Sequence, residues 1–275
     1  MISHRSLAAL FGALLLAACG EKNSIHNITA PTLGAAVRFF NFGLNAPAVN
    51  FYANNTKLSG ALTTSCSDPA TGATTDPTCL STGKEATAGT TYGNPANGVN
   101  GLYSSIAPGS YTLSGRITAT TDNGVAISNT PATLENGKFY SYYLSGVYNT
   151  TTKQVEGFLI EDPLPDFDYT KANVRFVNAI SNSQPMTLYA KSQTTGVETA
   201  IGGTIAYKSA GAFVAIPEGI YDLSTRVTGS STNVISRTGV SFAAGRVYTV
   251  TARGDITVTS STAANRPILD NTPNR

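Results

Sequence analysis

"APGSYTLSGRIT", Ala107 to Thr118, is answered near the far end of the chain by "IPEGIYDLSTRVT", Ile216 to Thr228. Each copy spells a proline, then Gly-x-Tyr, then apolar residues at alternate positions: Tyr111, Leu113 and Ile117 are interleaved with Thr112, Ser114 and Arg116. A period of two marks a half-buried strand with one face on a core. The proline and Gly-x-Tyr ahead of it fit a corner in which glycine takes a positive φ and the tyrosine hydroxyl ties back to nearby backbone.

Outward from this pair the duplication extends over most of the chain. "VRFFN" at Val37 to Asn41 returns as "VRFVN" at Val174 to Asn178, a spacing of 137, and Tyr52 matches Tyr189 at the same spacing. The opening pair falls at 110, aligning Gly109 with Gly219, Tyr111 with Tyr221 and Arg116 with Arg226. "ENGKFYSYYLSG" then matches "AAGRVYTVTARG" at 108, and Asp162 aligns with Asp270 at that spacing. The fall from 137 to 110 means that the first copy carries 27 extra residues between Tyr52 and Gly109, and both Cys66 and Cys79 lie inside them. Short period-two segments separated by Gly, Pro and Asn, with no sustained helical stripe, predict an all-β protein of two tandem β-sandwiches with mainly antiparallel strands. The expected organisation is a signal peptide over 1–18, a tether over 19–35, a first sandwich over 36–162, a linker over 163–171 and a second sandwich over 172–275.

His4 and Arg5 precede the apolar run Leu7 to Ala18, long enough for a signal-peptide core and too short to span a bilayer. The run ends in Leu16, Ala17, Ala18, Cys19, which resembles the lipobox of bacterial lipoproteins. That resemblance implies a lipidated Cys19 as the mature N-terminus, anchored by acyl chains worth ~0.8 kcal/mol per buried methylene. The alternative is an ordinary cleavable signal with a chance cysteine. Gly20 stands where an aspartate would favour the inner membrane, so the expected location is the cell envelope, at the outer membrane, with either a periplasmic or a surface-exposed face.

An exported chain meets an oxidising compartment, and Cys66 and Cys79 are expected to form a disulfide, worth about 3 kcal/mol on the chain-entropy picture. The alternative, a metal pair, lacks histidine or further thiols nearby. The disulfide would staple a segment too polar and too rich in Gly and Pro to pack a core.

The succession "VRFVNA", a proline-bearing loop with "LYA", "IPEGIYDLSTRV" and "AAGRVYTVTARG" resembles the bacterial family catalogued as domain of unknown function 4397. The resemblance implies a secreted or lipidated protein, a tandem arrangement and an immunoglobulin-like fold. It brings no activity and no catalytic residues.

Function is narrowed mainly by exclusion. The chain has two histidines, His4 in the signal and His26 in the tether, so neither sandwich can build a Ser-His-Asp centre, a Cys-His centre or a histidine zinc site. Phosphate loops and Gly-x-Ser-x-Gly elbows are absent from the sequence, and no cofactor is expected. Paired-carboxylate hydrolysis stays formally open. Basic residues are interspersed with acidic ones at a net charge of +2, which argues against nucleic acid as a partner. Three features remain as candidates. Glu161, Asp162, Asp166 and Asp168 in "LIEDPLPDFDY" could hold Ca²⁺ at the junction, or be a linker stiffened by Pro163 and Pro165 alone. Phe139, Tyr140, Tyr142 and Tyr143 could stack on sugar rings or a protein, or cover a sheet face. Arg38, Arg175, Arg116 and Arg226 sit on the outward parity and read as solvated cross-strand partners. The function expected is a non-catalytic, lipid-anchored envelope protein serving as a structural or adhesive module. Its partners are the membrane, through Cys19, and an unidentified protein or glycan. The alternative is a carbohydrate-binding lipoprotein that retains a polysaccharide.

Overall fold

Alternation along the repeated strands sorts the chain into layers. The computed structural model describes residues 34–59, 89–98 and 100–275; Cys19, Cys66 and Cys79 lie outside them. The first copy contributes β1 (Ala35–Asn41), β2 (Val49–Ala53), β3 (Thr56–Lys57), β4 (Asn94–Pro95), β5 (Ser104–Ile106), β6 (Gly109–Ile117), β7 (Thr130–Leu134), β8 (Phe139–Asn149) and β9 (Gln154–Glu161). The second contributes β10 (Ala172–Asn178), β11 (Met186–Ser192), β12 (Glu198–Ile205), β13 (Ser209–Ala210), β14 (Val214–Ile216), β15 (Gly219–Val227), β16 (Ile235–Phe242), β17 (Val247–Arg253) and β18 (Ile268–Pro273). Each copy is a sandwich of two sheets. One is ordered β4-β1-β8-β9, with β5 also on β1, and the other β3-β2-β6-β7; the second copy repeats this as β13-β10-β17-β18, with β14 on β10, and β12-β11-β15-β16.

One pairing departs from a purely antiparallel plan. β1 runs parallel to β8 and β10 parallel to β17, in the same register: Val37 faces Tyr140 and Val174 faces Tyr248. A parallel pair cannot be closed by a hairpin, so the first strand of each copy waits for its neighbour until the chain has crossed the other sheet.

The two corners behave as their sequence predicts. Tyr111 donates to the carbonyl of Ala107 at 2.8 Å and Tyr221 to that of Pro217 at 2.7 Å. Gly109 and Gly219 take φ of +157° and +151°, and a Cβ there would meet the ring of the corner tyrosine.

Within each sandwich the inward residues form one core. Val37, Phe39, Phe51, Leu113, Tyr142 and Leu144 fill the first, and Val174, Phe176, Leu188, Tyr221, Phe242 and Val250 the second. A third cluster lies between the copies: Phe40, Phe42, Tyr143 and Phe158 of the first pack with Val177 and Ala179 of the second. These residues occupy the parity opposite to the sandwich cores, so the β1 and β10 sheets are buried on both faces. The described residues accordingly form one unit.

Candidate functional site

The junction between the copies is the site that the duplicated residues build. The expectation that Arg38 and Arg175 are solvated is corrected here: they are 0% and 1% exposed. Each lies on the outer face of its own sandwich, and that face is covered by the other sandwich rather than by water.

Asp162, at the end of β9 and itself buried, answers both guanidiniums. Arg175 Nη2 donates to its Oδ1, and Arg38 Nε stands 3.7 Å from its Oδ2. Ser141 donates to Oδ2 at 2.7 Å, and the Tyr103 hydroxyl donates to the same oxygen. Burial pushes the Tyr103 hydroxyl pKa well up, so it remains a donor. Of the other guanidinium donors, Arg38 Nη1 reaches the Pro273 carbonyl at 3.0 Å and Arg175 Nη1 the Glu161 carbonyl at 3.0 Å.

These bonds obey a two-fold relation. Arg38 Nε donates to Ser141 Oγ at 2.8 Å and Arg175 Nε to Thr249 Oγ1 at 3.0 Å. Ser141 bonds Asp162 as Thr249 bonds Asn274 Oδ1, the latter at 2.8 Å. The guanidinium of Arg38 lies 5.0 Å from the Tyr103 ring centre and that of Arg175 4.8 Å from the Phe213 ring centre. The strand register gives the same correspondence, because Tyr140 faces Glu161 where Tyr248 faces Pro273. Asp162 therefore corresponds to Asn274. Its apparent mate Asp270 instead pairs with Arg253. The sequence alignment at 108 slips here because the β17–β18 connection is longer than the β8–β9 one.

The four junction acids do not converge. Glu161 pairs through its side chain with Lys138 at 3.1 Å, Asp162 belongs to the arginines, Asp166 is exposed, and Asp168 accepts from Thr170 N and Oγ1 at 2.8 and 2.6 Å. Among the described residues no group of three or more His, Cys, Asp or Glu is placed to hold a metal ion. The aromatic strand is structural for the most part: Tyr140, Tyr142 and Tyr143 are buried, and Phe139 packs edge-on to Tyr103 at 5.2 Å. Arg116 and Arg226 are the cross-strand partners expected. Arg116 lies 4.2 Å over Tyr52, and Arg226 lies 4.4 Å over Tyr189 while binding both oxygens of Glu198 at 2.7 Å.

Exposed aromatics do occur, at residues that the acidic reading of the linker passed over. Phe167 and Tyr169, 62% and 79% exposed, present near-parallel rings 6.0 Å apart. Arg275 lies 3.9 Å over Phe167 and donates to the Pro165 carbonyl. Their i, i+2 spacing in "DFDY" is the signal that could have found them.

The family model described as domain of unknown function (DUF4397) matches the chain twice, over residues 96–189 and 172–274. The chain belongs to this family. The second DUF4397 match spans the second sandwich, and the first begins just after β4 and runs to the middle of β11. No curated protein matches. Among solved structures, the chain is similar to a Bacteroides ovatus protein provisionally described as a cell adhesion protein. The identity is 11% over 87% of this chain and 96% of that one, with a TM-score of 0.21, too slight a likeness to carry an argument.

Proposed function

We propose that this DUF4397 protein is a non-catalytic cell-envelope lipoprotein, anchored through Cys19 at the outer membrane, in which two sandwiches joined face to face serve as a structural or adhesive module. The observation that carries this reading is the junction. Its buried charges and aromatics are spent on holding one sandwich to the other, with Asp162, Arg38 and Arg175 fully engaged there. An array stiffened in this way holds an outer surface at a fixed reach from its anchor. The sequence supports the same reading, since neither sandwich contains a histidine and Leu16–Cys19 has the lipobox pattern.

The test is fractionation of a two-membraned bacterium expressing the full chain. The natural protein is expected in the outer-membrane fraction with acyl label incorporated, and Cys19→Ala in the soluble fraction without label. Equal membrane association of both would remove the anchor from the proposal. A second reading, a module that retains a polysaccharide, is favoured by the exposed Phe167 and Tyr169 rings, since flat aromatic faces suit sugar rings. Binding on a glycan array that disappears in Tyr169→Ala would support it.

A further inference from the structure

The junction joins two copies of one design about an internal two-fold, and that is the geometry of a dimer interface written into a single chain. Its polar frame repeats from either side: Arg38, Ser141 and Tyr103 recur as Arg175, Thr249 and Phe213, and each arginine reaches a β9 or β18 carbonyl of the opposite sandwich, while the one carboxylate, Asp162, comes from the first sandwich and faces Asn274 of the second across the axis. Its apolar part differs between the sides. The first sandwich presents the large rings of Phe40, Phe42, Tyr143 and Phe158, and the second presents the small Val177, Ala179 and Ala210 with the Tyr207 ring edge-on to Phe158 at the margin. Two first sandwiches would drive bulky rings together and two second sandwiches would leave a void, so a first sandwich selects a second one.

Nothing in those contacts requires both sandwiches to come from the same chain. The connection from β9 to β10 is ten residues, 162–171, and apart from Asp162 its side chains lie outside the lock. We infer that the junction is a docking surface for a second copy of this chain. In a reciprocally exchanged dimer the first sandwich of each chain packs on the second sandwich of the other and rebuilds the same Arg38, Asp162 and Arg175 lock twice. Closure of both pairs leaves no sticky face, so the assembly stops at two.

The experiment removes residues 163–170 from the full chain, joining Asp162 to Lys171 so that β9 cannot turn back into β10. Light scattering on the folded variant is expected to give twice the mass of one chain, with a native-like melt. Inserting a flexible Gly-Ser segment of about fifteen residues at the same place is expected to restore a monomer, because a linker that spans the sites favours the intramolecular pair. A folded variant that stays monomeric, or that assembles without a defined stoichiometry, overturns the inference. If the shortened chain does not fold, the natural chain decides. It is refolded on the order of 1 mM, where intermolecular pairing competes with a short linker, then diluted. A dimer that persists after dilution supports the exchange, and monomer alone overturns it.

Discussion

Asp162 is the residue on which the junction turns, because it is the buried carboxylate shared by two buried guanidiniums. A buried ion pair is a poor source of net stability compared with apolar packing, but removing one partner is costly because a charge is left behind in low dielectric. Asp162→Asn should therefore destabilise the protein by about 3–5 kcal/mol in urea denaturation. The two-fold relation adds a stricter expectation. Asn274 occupies the corresponding place and accepts from Thr249 as Asp162 accepts from Ser141. Moving the charge across the axis, as Asp162→Asn with Asn274→Asp, should recover more than half of the loss. A double variant no more stable than Asp162→Asn would mean that the two places are not equivalent.

At the scale of elements, β9 carries a second link to the other sandwich. Glu156 accepts from the Tyr207 hydroxyl at 2.6 Å and pairs with Lys208 at 3.0 Å, both in the connection between β12 and β13. The Tyr207 hydrogen bond first, and then Lys208, hold the Glu156 carboxyl below its ordinary 4.5. A depressed folded-state pKa means that the unfolded chain takes up the proton first on acidification. The stabilisation is thus fully present above the ordinary value and fades as pH falls through the lowered one. Melting curves of the natural protein and Glu156→Gln should differ at pH 7 and converge in acid, once the pH has fallen through the lowered value and both side chains are neutral. The pair is largely exposed, so the difference at neutral pH should be small. An offset that persists in acid would assign the effect to packing instead.

What could be read in the sequence follows the reach of each signal. Alternation and the Gly-x-Tyr corners are local, and they gave the strands, the duplication and the tyrosine bonds to Ala107 and Pro217. The parallel β1–β8 and β10–β17 pairs were not legible, because they join segments 103 and 74 residues apart and nothing local marks the direction of the partner strand. Arg38 and Arg175 were misplaced for a related reason, since parity separates one face from the other but does not say what covers the outer one. The signal was present in the neighbouring residues. "VRFF" and "VRFV" are near-continuous apolar runs, the mark of a strand buried on both sides.

For the whole molecule, the third apolar cluster decides whether two sandwiches unfold as one. Tyr143 stacks between Phe40 at 4.7 Å and Phe158 at 5.0 Å, and Phe158 meets Tyr207 of the second sandwich edge-on at 6.1 Å. Phe158 belongs to neither sandwich core, so its contribution is to coupling rather than to the stability of either sandwich alone. A buried Phe→Ala change costs about 3–5 kcal/mol, and here that loss falls on the interface. The natural protein should give one calorimetric transition whose van't Hoff and calorimetric enthalpies agree, as expected of a single cooperative unit. Phe158→Ala should split it into two, because each sandwich keeps a complete core while the free energy that made them melt together is largely removed. The peaks should rejoin in Phe158→Leu, which refills most of the volume. One sharp transition moved bodily to lower temperature in Phe158→Ala would show instead that the Arg38, Asp162 and Arg175 lock couples the sandwiches without help from the rings.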